Sequence, residues 1–527
     1  MSMQTPRWAW RDGLTVLALM LAWLAATAWM RPLMLPDEGR YATVAWEMLR
    51  SGDWLIPTLN GLPFFHKPPL FYWITGAALS VLGPTEMAAR AASLAGATLG
   101  ALSLYLFTRR WCGPQAARRA LWVLLVQPLF YVGGQFANLD MLVAGCITAT
   151  ILALAHAALC FEQGQPHRRA LLLAYGLAAL GVLAKGLIGV VIPTMVIGLW
   201  LVLRWRWRTV VALLSLPGLA LFLLVAGPWF VAMQQRFDGF LHYFFVVQHF
   251  QRFAAGGFNN AQPFWFYPVV LALLSLPSLL WARGLWARGY FSAPAAPPHG
   301  AVRQLMALAV TSVLLFFSLP QSKLLGYILP AVPPLAWLMA DASLMASAAP
   351  ARRRWWWATL AFSALLGLAV VAGLTVDQRH SRRGLGLALR DRHLSGEPVY
   401  MIKDYQYDVL FYARLDAPVF VVDDWNNPDI ALRDNWRKEV VDAGKFAPGL
   451  AAQLLLMPEA LPAVLCSSPV SWVIAAEEQR ERHTFLVQAE PVHSVRGVTL
   501  WRIDVRQSAQ FKALNCSGTP SGDSTGK

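Results

Sequence analysis

The sequence predicts a polytopic α-helical membrane protein with a small α/β domain near its C-terminus. Its 527 residues are 57% hydrophobic and only 14% charged, whereas about a quarter of the residues in a typical soluble domain are charged. The mean hydropathy is +0.46, and long stretches without a charged residue recur along the first 376 residues. This composition excludes a soluble globular enzyme, and it excludes a disordered chain because such chains are poor in apolar residues.

Eleven stretches of 15 to 27 residues carry no charge, and a twelfth, 253–282, becomes apolar from about Phe264. A helix rises about 1.5 Å per residue and needs roughly 20 residues to cross a bilayer core. We therefore expect about 11–13 transmembrane helices, the first being an anchor and not a cleaved signal peptide. The segment 68–85 is expected to lie on the outer face or dip into it. The charge-free stretches are 13–30, 68–85, 91–108, 120–139, 141–161, 170–184, 186–203, 209–235, 304–322, 324–340 and 355–376.

The loops between these stretches alternate in charge. One set contains 17 basic residues and only two acidic ones, Asp12 and Glu162. The positive-inside rule places this set and the N-terminus in the cytoplasm, and an odd number of spans then places the C-terminal part outside. Topology thereby explains the net charge of +15 without a nucleic-acid partner. The basic residues of this set are Arg7, Arg11, Arg109, Arg110, Arg118, Arg119, Arg168, Arg169, Arg204, Arg206, Arg208, Arg283, Arg288, Arg303, Arg352, Arg353 and Arg354.

The composition changes at Asp377, where the long apolar stretches end. Short apolar runs typical of strands then alternate with polar segments typical of helices, such as 428–444, which predicts a small α/β domain. The strand-like runs are 399–402, 419–422, 472–475 and 498–503.

These observations divide the chain into three parts. They are a membrane domain over 1–376 with a first outer loop at 31–90, an outer α/β domain over 377–511, and a disordered tail over 512–527. Cys466 lies in the outer domain and Cys516 in the predicted tail. On the outer side oxidation is permitted, so a disulfide between them and two free surface thiols are both open alternatives.

The first outer loop begins with Pro36-Asp37-Glu38-Gly39-Arg40-Tyr41 and continues as an amphipathic helix over 39–50. Apolar residues fall on one face of this helix at helical spacing, so we expect it to lie in the membrane interface. Asp37 and Glu38 precede it, where a helix N-terminus favours carboxylates. Two interpretations are open, namely simple N-capping and a carboxylate held at the membrane surface for chemistry.

Further polar residues gather on the outer side. The motif His66-Lys67-Pro68-Pro69 holds a lysine between aromatic residues and two stiffening prolines, which suits either a substrate phosphate or lipid headgroups. Asp140 and Lys185 each separate two apolar runs. They are either polar residues that merely separate two helices or functional residues. The second interpretation rests on the high cost of an ionisable group at membrane depth. Later outer loops contribute His249, Arg252, Lys323 and Tyr327.

These residues form motifs that occur in order in a known family. The sequence resembles the lipid A aminoarabinose transferases and related GT-C glycosyltransferases, among them bacterial protein O-mannosyltransferases. The resemblance covers about residues 1–345 and weakens in the outer domain. The motifs are Pro36-Asp37-Glu38-Gly39-Arg40-Tyr41, His66-Lys67-Pro68-Pro69-Leu70, Asn138-Leu139-Asp140, Leu183-Ala184-Lys185-Gly186, Gln251-Arg252-Phe253 and Lys323-Leu324-Leu325-Gly326-Tyr327-Ile328-Leu329-Pro330.

The resemblance implies a GT-C fold and an inverting transfer of a sugar from a polyprenyl-phosphate donor to lipid A or a related envelope glycolipid. The reaction would take place on the periplasmic face of the bacterial inner membrane and would require no soluble cofactor. The implied catalytic residues are Asp37 and Asp140. The implied ligands of the donor phosphate are Lys67, Arg252 and Tyr327. The residues implied to line the cavity are Glu38, Arg40, Tyr41, Lys185 and Lys323.

The residue types suit this chemistry. Negative charge develops on the lipid phosphate as it leaves, so fixed cations such as Lys67 and Arg252 stabilise the transition state more than the ground state. If the acceptor is a hydroxyl, Asp37 would be its general base. If the acceptor is a lipid A phosphate, Asp37 would position the sugar or stabilise positive charge at the anomeric carbon.

Two points leave alternatives open. His66 stands where the family often carries a glutamate, and in some members this region helps to bind zinc, so His66 and His249 are candidate ligands of a divalent metal. The acceptor is also open, because a protein O-glycosyltransferase would use the same donor class. A transporter for a lipid-linked sugar is less favoured, because its polar residues should cluster near the membrane midplane and not at the outer helix ends.

Overall fold

The structure is a computed structural model that describes residues 10–251, 260–286, 290–291, 298–346 and 350–517, with side chains described except at 10–12, 249–251, 345–346 and 350. The chain divides into two compact units. Unit 1 comprises Met1–Arg31, His66–Ile74 and Arg90–Val376, and unit 2 comprises Pro32–Phe65, Thr75–Ala89 and Asp377–Lys527. Most of the first outer loop therefore belongs to the same unit as the C-terminal residues.

Unit 1 is helical. In the described part of the chain six helices are long and apolar enough to cross a membrane, or seven if the bent pair Phe266–Leu274 and Ser278–Trp286 forms one span. The prediction of a polytopic helical membrane protein is confirmed, while the count of 11–13 spans stays a prediction. The six are Ala91–Cys112, Leu139–Glu162, Leu216–Arg236, His299–Ser318, Leu325–Leu344 and Ala351–Val376, and the shorter apolar helices are Gly13–Ala25, Leu70–Leu82 and Ile188–Leu203. The other helices of unit 1 are Pro114–Val126, Pro128–Gly134, Arg168–Lys185, Trp207–Leu213 and the π-helix His242–Gln251.

Some charge-free stretches contain a break where the sequence predicted one continuous span. Stretch 120–139 divides at Gln127, between the helices Pro114–Val126 and Pro128–Gly134. Proline cannot donate the backbone hydrogen bond that would continue the first helix. At the break, the side-chain amide of the buried Gln127 donates to the hydroxyl of Ser275 at 2.6 Å. This break explains why stretch 120–139 contains no helix long enough to cross a membrane.

The helix Leu139–Glu162 is buried along most of its length. It packs against Ala91–Cys112, and the two backbones approach so closely at Gly96 and Gly145 that a Cβ on either residue would overlap the other helix. Close approach through small residues is a common way for helices to associate in membranes. This packing fixes the first turn of Leu139–Glu162, which carries Asp140.

In unit 2 the predicted amphipathic helix extends over Asp37–Ser51. Its apolar face is buried as expected, but its polar face is largely covered as well. Thr43 is buried and donates its hydroxyl hydrogen to the carbonyl oxygen of Tyr407 at 2.7 Å. The polar face of this helix is therefore packed against protein and does not lie open as a helix at a membrane interface would.

A two-stranded hairpin packs beside this helix. Strands β1 (Thr58–Leu59) and β2 (Leu62–Pro63) are antiparallel, and the turn residues Asn60 and Gly61 have positive φ angles of 54° and 73°. Asn-Gly is the sequence that a type I′ hairpin turn favours. The carboxylate of Glu47 accepts hydrogen bonds from the amides of both turn residues, at 2.8 and 3.0 Å. The hairpin thereby covers the middle of the helix.

A six-stranded mixed sheet forms the centre of unit 2, in the order β5-β4-β3-β6-β8-β7. Strands β5, β4, β3 and β6 are parallel, and β6, β8 and β7 are antiparallel. The predicted C-terminal α/β domain is confirmed, and four of its strands were predicted. The strands are β3 (Val399–Ile402), β4 (Phe420–Val422), β5 (Leu455–Leu456), β6 (Val470–Ala476), β7 (Glu490–Val495) and β8 (Val498–Asp504). The α-helices of unit 2 beyond Asp37–Ser51 are Glu86–Ala89, Arg383–Arg392, Tyr407–Ala413, Asp429–Leu432, Trp436–Gly444, Pro448–Leu454, Leu461–Cys466, Gln479–Arg482 and Ser508–Ala513.

A disulfide joins Cys466 and Cys516, which decides between the two alternatives left open by the sequence. The helix Ser508–Ala513 and this disulfide both reach into the segment 512–527, predicted to be a disordered tail. Leu514 and Phe511 pack against the core of the domain. The folded part of the domain therefore extends at least to Cys516.

Candidate active site

The motif at the start of the helix Asp37–Ser51 forms a buried charge cluster in unit 2. Arg40 Nη2 donates to Asp37 Oδ1 at 2.5 Å, one helical turn away. The guanidinium also lies over the ring of Tyr41, 4.9 Å from its centroid. Asp37 remains 28% exposed, whereas the Arg40 side chain is only 12% exposed. The sequence predicted these three residues, and the structure brings them together.

Two residues of this cluster were missed by the sequence analysis. Arg40 Nη1 donates to Glu439 Oε1, and the hydroxyl of Tyr407 donates to Glu439 Oε2 at 2.6 Å. The guanidinium lies 5.8 Å from the Tyr407 ring centroid as well. We call Asp37, Arg40, Tyr41, Tyr407 and Glu439 the Arg40 cluster. Glu439 is 399 residues from Arg40 in sequence, and it lies in the predicted helix-like segment 428–444 without a motif to mark it.

Burial and charge determine the protonation states in the Arg40 cluster. Burial alone would lower the pKa of Arg40, but Glu439, Tyr41 and Asp37 together raise it well above its usual value, so the guanidinium stays charged. Burial and the neighbouring Glu439 raise the pKa of Tyr407, so its hydroxyl remains a hydrogen-bond donor. The cluster thus holds one permanent cation between two carboxylates.

Glu38 has a different environment from Asp37. It is fully buried, and its Oε2 accepts a hydrogen bond from the backbone amide of Met34 at 3.0 Å. The amide lies in the segment before the helix and not in its first turn, so this contact holds that segment in place and is not an N-cap. Gly39 follows, and a Cβ there would press on Leu35 and Asp408. Asp37 therefore presents a partly exposed charge, whereas the next two residues, Glu38 and Gly39, are buried and contribute to packing.

A second charge cluster lies in unit 1. The Lys185 ammonium donates to Asp140 Oδ1, and it lies 4.6 Å from the ring centroid of Tyr327. Both charged side chains are largely buried, 6% exposed for Asp140 and 12% for Lys185. We call Asn138, Asp140, Lys185, Gly326 and Tyr327 the Asp140 cluster. The sequence predicted three of its members as site residues, and the structure brings those three together.

Helix ends position the two charges of the Asp140 cluster. Asp140 lies in the first turn of Leu139–Glu162, where Asn138 accepts a hydrogen bond from the Asp140 amide at 2.9 Å. Lys185 is the last residue of Arg168–Lys185. An anion at a helix N-terminus and a cation at a helix C-terminus are both favoured by the helix dipole. A Cβ at Gly326 would overlap the Asp140 carboxylate, so this glycine admits the carboxylate.

The structure describes only some of the other residues predicted to bind the donor phosphate or a metal. Lys67 is half-buried three residues before the helix Leu70–Leu82. The His66 ring is 7% exposed and lies 6.0 Å from the ring of Tyr243. Arg252 lies outside the described residues, and so does the side chain of His249. No group of three or more His, Cys, Asp or Glu residues that could hold a metal occurs in the described part of the chain.

Lys323 is 4% exposed, and its ammonium is bound by backbone carbonyl groups. It donates to the carbonyl oxygen of Gln262 at 3.0 Å and to that of Pro320. Ala261 and Ser322 form an isolated antiparallel bridge beside it. The lysine therefore fastens the segment that begins at residue 260 to the loop before Leu325–Ala331. This role is positional, and the sequence did not predict it.

The chain is similar in sequence to known glycosyltransferases. A family model described as dolichyl-phosphate-mannose-protein mannosyltransferase matches residues 66–231. The chain is 38% identical over 316 residues to undecaprenyl phosphate-α-4-amino-4-deoxy-L-arabinose arabinosyl transferase 1 of Sodalis glossinidius, covering 59% of this chain and 55% of that protein. It is 35% identical over 363 residues to the corresponding transferase of Aeromonas salmonicida, covering 67% of this chain and 64% of that protein. The chain thus covers less than two thirds of the length of these relatives.

A solved structure shows the same fold. The crystal structure of ArnT from Cupriavidus metallidurans bound to undecaprenyl phosphate matches with a TM-score of 0.78, covering 94% of this chain and 98% of that one. Sequence identity over this match is 20%, so the likeness establishes the fold alone. The predicted GT-C fold is confirmed.

Proposed function

We propose that the chain belongs to the family of the lipid A aminoarabinose transferases and that it transfers a sugar from a polyprenyl-phosphate donor to lipid A or a related envelope glycolipid. The names of its relatives point to undecaprenyl phosphate as the carrier and 4-amino-4-deoxy-L-arabinose as the sugar. The observation that carries the proposal is that two of the family motifs each form a carboxylate–cation pair, the partly exposed Asp37 with Arg40 and the buried Asp140 with Lys185.

In this proposal the donor phosphate is the leaving group and the anomeric carbon is attacked from the opposite side, which inverts its configuration. Lys67, Arg252 and Tyr327 bind the phosphate and stabilise the charge that develops on it. Asp37 is the general base for a hydroxyl acceptor, or it stabilises positive charge on the sugar when the acceptor is a phosphate. Asp140 holds Lys185 in place through their ion pair.

We propose the bacterial inner membrane as the location, with the N-terminus in the cytoplasm and the C-terminal domain in the periplasm. The basic loops support this orientation, and so does the Cys466–Cys516 disulfide, because such bonds persist in oxidising compartments. The reaction uses no soluble cofactor. A divalent metal held by His66 and His249 is an alternative to a metal-free reaction, and loss of activity on chelation would favour it.

Protein O-glycosylation is the second candidate. The match of residues 66–231 to a protein mannosyltransferase family model favours it. Donor and leaving group would be of the same class, and only the acceptor would differ, a serine or threonine hydroxyl in place of lipid A.

The proposal can be tested with purified protein, undecaprenyl phosphate-α-4-amino-4-deoxy-L-arabinose and lipid A, with mass spectrometry of the lipid as readout. Asp37→Asn should abolish transfer, because the amide can neither accept a proton nor stabilise positive charge. Asp391→Asn is the matched control, since Asp391 is 63% exposed and pairs only with its neighbour Arg390 among the interactions described. Equal activity of the two variants would overturn the assignment of Asp37, and unmodified lipid A with the wild-type protein would point to another acceptor or donor sugar.

A further inference from the structure

We infer that Glu439, a residue of the C-terminal domain, is a positioning residue of the proposed transfer reaction, which acts on Asp37 through Arg40. The inference rests on the proposed function and adds a residue to it. Glu439 lies in the helix Trp436–Gly444, whereas Asp37 and Arg40 begin the helix Asp37–Ser51. All three residues belong to unit 2.

The argument begins with the geometry of Arg40. A guanidinium beside a single carboxylate tends to form a bidentate pair in which two parallel hydrogen bonds engage both oxygens. Here the two terminal nitrogens are divided, Nη2 to Asp37 and Nη1 to Glu439. Glu439 therefore binds one of the two terminal nitrogens of Arg40 and leaves only the other for Asp37. The Asp37 carboxylate keeps a cation beside it without being clamped by it.

The position of Glu439 is itself fixed. Its second oxygen accepts the hydroxyl hydrogen of Tyr407 at 2.6 Å, and the side chain of Glu439 is only 10% exposed. Tyr407 is held in turn by its carbonyl oxygen, which accepts a hydrogen bond from Thr43 at 2.7 Å. Thr43 lies on the same helix as Asp37 and Arg40. These contacts form a series from Thr43 through Tyr407, Glu439 and Arg40 to Asp37. The series begins and ends on the helix Asp37–Ser51 and passes through two residues of the C-terminal domain.

One donor of the cluster remains unused. Arg40 Nε is buried and has no hydrogen-bond acceptor among the described residues. An unsatisfied buried guanidinium N–H is costly, and an oxygen of a bound sugar or phosphate could satisfy it. The orientation that leaves this donor unused is the one that Glu439 and Asp37 impose together. Glu439 therefore sets how Arg40 is presented, as well as where it lies.

The test measures transfer from undecaprenyl phosphate-α-4-amino-4-deoxy-L-arabinose to lipid A by the full chain. Glu439→Gln should lower kcat by about tenfold to a hundredfold, the loss expected when a reacting group is displaced slightly. The KM for the donor should rise by a smaller factor than kcat falls, because Lys67, Arg252 and Tyr327, which bind the donor phosphate in this proposal, stay in place. Glu439→Asp should recover part of the loss, since it restores the charge.

Asp442→Asn is the matched control. Asp442 lies on the same helix, is also buried, and pairs with Lys438 and Lys445 at 2.9 and 2.6 Å. No contact between Asp442 and Arg40 is described. The substitution should lower thermal stability but leave kcat unchanged. Because Tyr407 acts through Glu439, the double variant Glu439→Gln/Tyr407→Phe should be no slower than the slower single variant.

The outcomes separate the inference from the proposed function. If the wild-type protein modifies lipid A and Glu439→Gln has the kcat of Asp442→Asn, the inference is wrong although the function stands. Additive losses in the double variant would also overturn it. If the wild-type protein leaves lipid A unmodified, the function fails, and release of free sugar from the donor by water then serves as the readout for the same variants.

Discussion

At the scale of single residues, charges are placed by contacts that sequence spacing does not reveal. Asp37 and Arg40 are one turn apart in the helix Asp37–Ser51, but the predicted helix began at Gly39, so their pairing did not follow from it. Asp140 and Lys185 are 45 residues apart, and both were chosen because an ionisable residue at membrane depth needs a reason. That argument could not show that Asp140 and Lys185 form an ion pair with each other. Glu439 was beyond reach, because an exposed and a buried glutamate of a helix look alike in one sequence.

Gly326 offers a test of the Asp140 cluster. A Cβ at this position would overlap the Asp140 carboxylate, so Gly326→Ala should push the carboxylate away from Lys185 and lower the rate of transfer by about tenfold or more. Gly373→Ala is the control, because Gly373 lies in the helix Pro350–Val376 where an added Cβ would meet no neighbouring atom within 4 Å. Transfer and thermal unfolding in detergent would be measured for both. A fully active Gly326→Ala would show that the pair tolerates the displacement.

At the scale of elements, the helix Asp37–Ser51 shows what an amphipathic pattern determines. The spacing of its apolar residues predicted the helix and its buried face correctly. It did not predict that Thr43 and Glu47 on the polar face would be covered by other parts of unit 2. The Asn60-Gly61 dipeptide is a hairpin signal that would have placed one of these partners. A polar residue on such a helix contacts either water or a polar group of the protein, and the spacing of residues does not show which of the two it contacts.

Glu47 should make the stability of unit 2 depend on pH. Burial raises the pKa of this carboxyl group to about 7 in the folded protein, despite hydrogen bonds from Gly61, Thr58 and Asn60. A raised pKa means that the stabilising contribution is complete below the unfolded value and is lost as the pH rises through about 7. The melting temperature of the wild-type protein relative to Glu47→Gln should therefore fall between pH 5 and pH 8, by an amount equivalent to about 3 kcal/mol at most.

The control for this experiment is Glu459→Gln, which removes an exposed negative charge in the same unit. Its melting temperature relative to the wild-type protein should not vary with pH over the same interval. A wild-type advantage over Glu47→Gln that grew towards pH 8 would mean that the hydrogen bonds of the hairpin outweigh the cost of burying the charge.

At the scale of the whole molecule, composition determined the fold class and the end of the membrane part, whereas details that depend on packing were not predictable. The α/β domain was recognised because strands β3, β4, β6 and β8 are apolar runs. Strand β5 has two residues, and the edge strand β7 is mostly exposed and polar, as edge strands often are, so neither left a pattern. The break at Gln127 follows from Pro128, which the sequence shows, whereas the partner of the Gln127 side chain, Ser275, lies far away in the sequence.

The proposed orientation in the membrane makes a prediction about the whole chain. Gln163 is exposed beside the basic residues assigned to the cytoplasm, and Gln488 is exposed in the C-terminal domain. A membrane-impermeant maleimide added to intact spheroplasts should label Gln488→Cys and leave Gln163→Cys unlabelled until the membrane is permeabilised, because only periplasmic thiols are accessible to it. Both substitutions are made in a chain in which the free cysteines Cys112, Cys146 and Cys160 are replaced by serine. That chain is the blank, since its remaining cysteines, Cys466 and Cys516, are bonded to each other. The reverse labelling pattern would invert the topology, and it would remove the Arg40 cluster from the side on which the proposal requires the donor sugar to be presented.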